Sequence, residues 1–185
     1  MPKKQITPLL SRNVLIFVFV SMLLTIFGGA GVMFYIGFFT DAKVQKNIAP
    51  PYKIAYLTQI GPYSDVKPTL ERVAEKLKEA NIEHETACVL LLDDSNVPEE
   101  KRRAKIGYLV NQSTYVPGPL EIEELPQREI LMATFNGGAL MGSYKAYEAM
   151  KEWAKYNDYT LSMPALEIYH PDGVKEYQLY IRRNK

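Results

Sequence analysis

The sequence predicts an α+β domain made of a duplicated β-α-β-β unit, preceded by one transmembrane helix. Three observations carry this. Val14 to Phe39 is a run of 26 residues without a charged side chain. A strand-helix-strand-strand pattern then occurs twice. Matched positions of the two copies keep a near-constant spacing: Lys53 to Arg128 is 75 residues, Gly61 to Gly137 is 76, and Asp94 to Asp172 is 78. Two such units in series imply a pseudo-twofold antiparallel sheet carrying two long helices, with a crevice along the shared axis.

The apolar run comes first. A bilayer core needs roughly 20 apolar residues in a helix, the one single-segment solution that pairs its own backbone groups. A cleaved signal peptide would have an apolar region of about 7–15 residues ending at small residues. Here the chain stays apolar beyond Gly28-Gly29-Ala30-Gly31. Residues 1–13 therefore read as an N-terminal tail and 14–39 as a single-pass anchor in the lipid bilayer. Lys3, Lys4 and Arg12 precede the run, and Lys43, Lys46 and Lys53 follow it. The free amino terminus tips the positive-inside balance towards a cytoplasmic N-terminus and an extracytoplasmic domain. Residues 40–51, polar and closed by Pro50-Pro51, read as a linker.

The domain then spans 52–185. Its first repeat, 52–110, opens with an alternating strand from Lys53 to Gln59 that Gly61-Pro62 breaks. A helix follows, with Ser64 or Asp65 as N-cap and Pro68 in its first turn. Val66, Leu70, Val73, Ala74 and Leu77 form one apolar stripe, and Asn81 ends the helix. Strands are expected at Thr86 to Leu92 and Lys105 to Val110, joined by a polar loop. Residues 111–127 are a connector in which Leu120 to Leu125 is a candidate strand. The second repeat, 128–185, has a strand from Arg128 to Phe135, a break at Gly137-Gly138, and a helix from Ser143 to Tyr156. Strands at Ala165 to Tyr169 and Glu176 to Arg182 follow, joined by a turn at Pro171-Asp172-Gly173.

Composition excludes several function classes. Lys and Arg total 22 against 21 Asp and Glu, a net charge of +1, which gives no basic surface for nucleic acid. Cys88 is the single cysteine, in an apolar strand, and reads as an inert buried thiol. His84 and His170 have no partner at metal-ligand spacing, so no metal is expected. No P-loop, nucleophile elbow or dinucleotide fingerprint appears, and no cofactor is expected.

Glu167 is the leading candidate for a functional side chain. Leu166 and Ile168 face one way on their strand, and Ala165, Glu167 and Tyr169 the other. The apolar pair is expected to pack on the helices, which sends Glu167 to the opposite face, towards the crevice. The matching position of the first repeat is Val89, so the acid stands in one half only. A lone carboxylate beside aromatic rings suits a cation that can also stack on those rings. Tyr63, Tyr108, Trp153 and Tyr169 are candidate walls of the crevice.

At these residues the chain resembles GyrI-like domains, also called AraC-type effector-binding domains and related to the SOUL superfamily. The resemblance rests on Asp93 to Arg103 leading into Ile106-Gly107-Tyr108-Leu109-Val110, on Gly61-Pro62-Tyr63, and on Leu166-Glu167-Ile168-Tyr169 before Pro171-Asp172. It covers about Pro51 to Arg182. It implies a small-molecule-binding domain in which a glutamate on this second-half strand, here Glu167, contacts cationic or aromatic ligands. The expected function is thus a membrane-anchored, non-enzymatic binding or sensing protein for a small amphipathic molecule, lipophilic cations included. Relatives that inhibit protein targets make a tethered protein-protein adaptor the alternative. A hydrolase using the cleft glutamate is the third reading.

Overall fold

The computed structural model describes residues 12–35, 38–137 and 139–184. The N-terminal tail as far as Ser11, and Ile36, Gly37, Gly138 and Lys185, lie outside the described residues.

Helix α1 runs from Arg12 to Tyr35. Its 24 residues have a mean hydropathy of 2.4 over the best window, and none of them is buried against protein. At 1.5 Å per residue it is about 36 Å long, against a hydrocarbon core of about 30 Å. It stops short of the expected Phe39: Phe38 and Phe39 form a turn, with the Phe38 N–H donating to Met33 O at 3.0 Å.

The remaining elements are β1 (Lys43–Ala49), β2 (Tyr52–Ile60), α2 (Lys67–Glu79), β3 (Ala87–Leu91), β4 (Arg103–Val110), β5 (Glu121–Leu125), β6 (Arg128–Asn136), α3 (Ala139–Tyr156), β7 (Tyr159–Tyr169) and β8 (Val174–Arg183). They form one antiparallel sheet in the order β1-β6-β8-β7-β3-β4-β2-β5. The α+β class and the two long helices of the duplicated unit are as the sequence indicates.

The linker expected at 40–51 is a correction. Lys43–Ala49 is strand β1, paired along its whole length with β6. Each repeat is therefore β-β-α-β-β, with β5 as the counterpart of β1. The polar, lysine-containing sequence of β1 reads as a spacer because it is an edge strand, open to solvent and carrying the charge that edges favour.

Pairing of β1 with β6 and of β2 with β5 follows one register. Lys43 faces Thr134 and Tyr52 faces Leu125, and both pairs of numbers total 177. The arms β1-Pro50-Pro51-β2 and β5-Pro126-Gln127-β6 thus run side by side, bent where proline offers no N–H to the ladder. This brings the two ends of the sheet together. Gln178 Nε2 on β8 donates to the Tyr52 hydroxyl on β2 at 3.1 Å, and the Arg128 guanidinium lies 5.8 Å from the Tyr52 ring. The enclosed face has its own core of Ile54, Cys88, Leu90, Leu166 and Ile168. Burial without a charged neighbour pushes the Cys88 thiol far above its ordinary range.

Both helices lie on the other face. Val73 and Leu77 of α2 are fully buried over Ala55, and Ala146 and Met150 of α3 over Leu131 and Ala133. Each large side chain so buried contributes about 1.5–3 kcal/mol. Helix α2 starts at Lys67 with Val66 as N-cap rather than Ser64 or Asp65. Gln59 organises that turn instead: its Nε2 donates to Asp65 O at 3.1 Å while its Oε1 accepts from Thr69 Oγ1 at 2.7 Å. The helix ends as expected at Asn81, whose φ of 55° suits the left-handed position after a helix.

Candidate functional site

Strands β3 and β7 are the central pair of the sheet, and Val89 pairs with Glu167. The pseudo-twofold axis passes through this pair. Helices α2 and α3 stand on either side of it, and the space between them is a groove with β3 and β7 as its floor.

Glu167 does line the groove, but from the helix face of the sheet and not from the face opposite the helices. Leu166 and Ile168 pack inside the curl of the sheet, not on the helices. Glu167 shares the helix face with Val89, Leu91, Ala165 and Tyr169. The wrapped sheet buries both of its faces, so an apolar pair does not mark the side that takes the helices.

Glu167 is 7% exposed. Its Oε1 accepts from the Tyr147 hydroxyl of α3 at 2.7 Å, and its Oε2 from the Tyr169 hydroxyl at 2.5 Å. Tyr177, the β8 partner of Glu167 in register, meets the Tyr147 ring edge-on at 5.7 Å. Gly142 lets α3 come down on this cluster, because a Cβ there would lie 2.5 Å from the Tyr177 hydroxyl. Burial raises the Glu167 carboxyl above the ordinary carboxylate range, and the two tyrosine hydrogen bonds hold it down only in part. Burial, and then the adjacent Glu167 charge, pushes the Tyr147 and Tyr169 hydroxyls far up. Both stay protonated donors at any working pH.

The groove has two connected parts of about 670 and 690 Å³, each within the usual range for a small-molecule site. Glu167 and Tyr169 line the first, and Tyr63, Leu91, Tyr147 and Lys151 line both. Tyr63 forms the wall opposite α3. Its hydroxyl donates to Asp93 O at 2.9 Å and accepts from the Asp93 N–H at 3.2 Å. Asp93 is itself clamped by the Arg103 guanidinium at 2.8 and 2.9 Å, and that bidentate contact lowers its carboxyl. At the mouth Lys151 pairs with Glu148 at 2.8 Å.

Of the five residues singled out in the sequence, the structure brings Glu167, Tyr63 and Tyr169 to one groove. Tyr108 and Trp153 lie elsewhere. Tyr108 packs under α2, edge-on to His84 at 5.2 Å, because its place on β4 faces that helix. Trp153 sits one turn beyond the groove and packs on Tyr159 at 5.6 Å. Sequence reasoning missed Tyr147, which lines the groove, and Tyr177, which is buried beneath it against the Tyr147 ring. A signal existed for Tyr177: counting five residues outward from Asp172 in each direction pairs it with Glu167. Tyr147 is on the apolar stripe of α3, where a tyrosine looks like any core residue.

A sequence profile described as GyrI-like small molecule binding domain matches residues 43–182. No curated protein sequence matches this chain. Among solved structures, the C-terminal domain of EcmrR superposes with a TM-score of 0.61 at 16% identity, covering 78% of this chain and 99% of that one. The structure of SAV2435 bound to tetraphenylphosphonium gives 0.52 at 11% identity, covering 76% and 94%. A hydrolase from Listeria innocua gives 0.54 at 9% identity, covering 77% and 93%. At these identities the likeness is one of fold.

Proposed function

The chain belongs to the GyrI-like small-molecule-binding family, and from that premise we propose a membrane-tethered, non-catalytic receptor for an amphipathic cation. One observation carries the reading: a single carboxylate, almost fully buried, stands on the floor of an open groove among tyrosine rings. A desolvated acid without a basic partner is costly. A cation over those rings would supply the missing charge and recover that cost. The groove is open over about 670 Å³ rather than filled, which suits a small molecule better than a protein partner. Both Glu167 oxygens already accept from tyrosine, an arrangement for holding charge rather than for passing a proton. The tetraphenylphosphonium complex of SAV2435 shows that one protein of this fold takes a lipophilic cation.

Helix α1 supports the tether. A helix apolar on every side, with no protein packed on it, finds its burial in lipid. In this reading the N-terminus is cytoplasmic and the binding domain lies outside.

The test is a titration of tetraphenylphosphonium into the full chain in lipid nanodiscs, with empty discs as the blank. Glu167→Gln is expected to weaken binding by about 1–2 kcal/mol, the scale of a partly desolvated charge contact. An unchanged dissociation constant overturns the assignment of Glu167. A chain that stays in the soluble fraction of lysed cells overturns the tether.

A further inference from the structure

The second part of the groove has a different chemistry from the first. Along β7, the residues that share the Glu167 face continue as Ala165, Met163 and Leu161, and Leu179 of β8 lies beside them. Leu91 of β3 closes the other side. None of these carries a polar side-chain group. The charged residues of this part are Asp93, Asp94 and Arg102 of the β3-β4 loop at its rim and Lys151 of α3, and Asp93 is already held by Arg103. Tyr63, Tyr147, Leu91 and Lys151 line both parts, so the two adjoin along the β7 face from Glu167 to Leu161. Leu161 pairs with Ile181 and Glu167 with Tyr177, four residue steps along β8, so this stretch is about 13 Å long. One end therefore offers a carboxylate with aromatic walls, and the other offers an aliphatic channel.

We propose that this channel is a second subsite, and that the ligand is an elongated single-tailed cationic amphiphile. Its head sits on Glu167 and its alkyl tail lies along Leu161, Met163 and Leu179. The inference rests on the reading of Glu167 given above and adds the shape of the ligand. Two features favour a tail over a second polar group. The channel walls present apolar atoms, and burying apolar surface there is favourable in proportion to its area. Lys151 stands where the two parts meet, but its charge is balanced by Glu148 at 2.8 Å, so a cationic head can pass it. Met163 is unbranched and can adapt to tails of different length.

The experiment uses the full chain in nanodiscs with its methionine methyls labelled with carbon-13. Two probes are titrated below the micellar range: benzyltrimethylammonium, which is a head alone, and dodecyltrimethylammonium, which adds a tail. The Met163 methyl signal is expected to shift with the tailed probe only. The Met132 signal, from inside the curled sheet, is expected to stay still with both. The tailed probe should bind at least tenfold more tightly. The double variant Leu161→Gln, Met163→Gln should bring it within twofold of the head alone and leave the head-only affinity unchanged, with the Met132 signal reporting that the fold is kept. A silent Met163, or a tail advantage that survives the double variant, overturns the subsite while leaving the Glu167 reading standing. If Glu167→Gln instead changes neither probe while the double variant still removes the tail advantage, the head assignment is overturned and the aliphatic channel is the whole site.

Discussion

The two repeats follow the same path and differ where their axis passes. Val89 in the first repeat is 1% exposed, and its partner Glu167 in the second is 7% exposed. Around both, the backbone is the same antiparallel pair. The side chains divide the work unequally: the first repeat supplies Val89, Leu91 and the Tyr63 wall, and the second supplies the carboxylate and both tyrosine donors that hold it. A symmetric scaffold makes a groove, and a lone acid on the axis gives it a preference. A second carboxylate at position 89 would face the first and favour their shared protonation instead.

A parallel contrast appears one strand further out. Cys88 pairs with Gly107 in the first repeat and Leu166 pairs with Gln178 in the second, so Gly107 and Gln178 occupy matched places. Gln178 reaches Tyr52 and Glu176 inside the curl. Gly107 cannot be enlarged, because a Cβ there would lie 1.9 Å from the Ala55 carbonyl oxygen. The close approach of β2 to β4 depends on that missing side chain.

Substitutions that push the halves together or apart test this comparison. The largest effect is expected from Gly107→Ala, which sets a methyl against backbone. It should cost about 3 kcal/mol, at the upper end for overpacking, as read by urea unfolding of the chain. The matched change Gln178→Ala should cost less, since it removes hydrogen bonds without moving a strand.

Next is Val89→Glu, which makes the axis chemically symmetric. Burying a second acid beside Glu167 should cost about 2 kcal/mol at neutral pH, and the penalty should shrink on acidification as the pair shares a proton. A pH-independent penalty would place the new side chain outside the groove.

The Glu167 carboxyl itself provides the third test. Its folded value is raised above its unfolded value by burial. Its contribution to stability is therefore present in full below the ordinary carboxylate range and is lost as pH rises through the raised value. The melting temperature of the ligand-free chain should fall across that window, and Glu167→Gln should remove that component. A bound cation favours the ionised form, so tetraphenylphosphonium should bind more weakly as pH drops through the same window. Melting curves with and without it measure both slopes.

The smallest effect concerns the join between α1 and the second repeat. Lys145 of α3 donates to the carbonyls of Phe38 and Thr40, the latter at 2.6 Å. Lys145→Met should change stability by only about 0.5–1 kcal/mol, the net worth of a partly exposed hydrogen bond. It should nonetheless speed protease cleavage between Phe38 and Ala42, since those carbonyls lose their clamp.

The helical stripes of α2 and α3 and the turns at Gly61 and Asp172 are legible in the linear pattern because each depends on residues close in the chain, and the repeat spacing is legible because matched residues recur at a near-constant offset. Strand β1 is not. Its seven residues carry two lysines and no strict alternation, and its pairing partners on β6 lie between 79 (Ala49 to Arg128) and 91 (Lys43 to Thr134) residues away. Tyr108 and Trp153 suit a groove wall by residue type, whereas their positions under α2 and beyond the groove on α3 are set by packing.

Periodicity alone determined that this protein has an apolar N-terminal helix, a duplicated α+β unit, and an acid in one repeat whose counterpart is valine. Alternation along a strand tells which residues share a face, since side chains of a strand alternate in direction whatever surrounds them. Only the tertiary structure decided which face takes the helices. The arms β1-β2 and β5-β6 pair in one register and wrap the sheet, so both faces carry apolar residues. That wrapping put Leu166 and Ile168 inside the curl, and left Glu167 between the helices with two tyrosine hydroxyls on its oxygens.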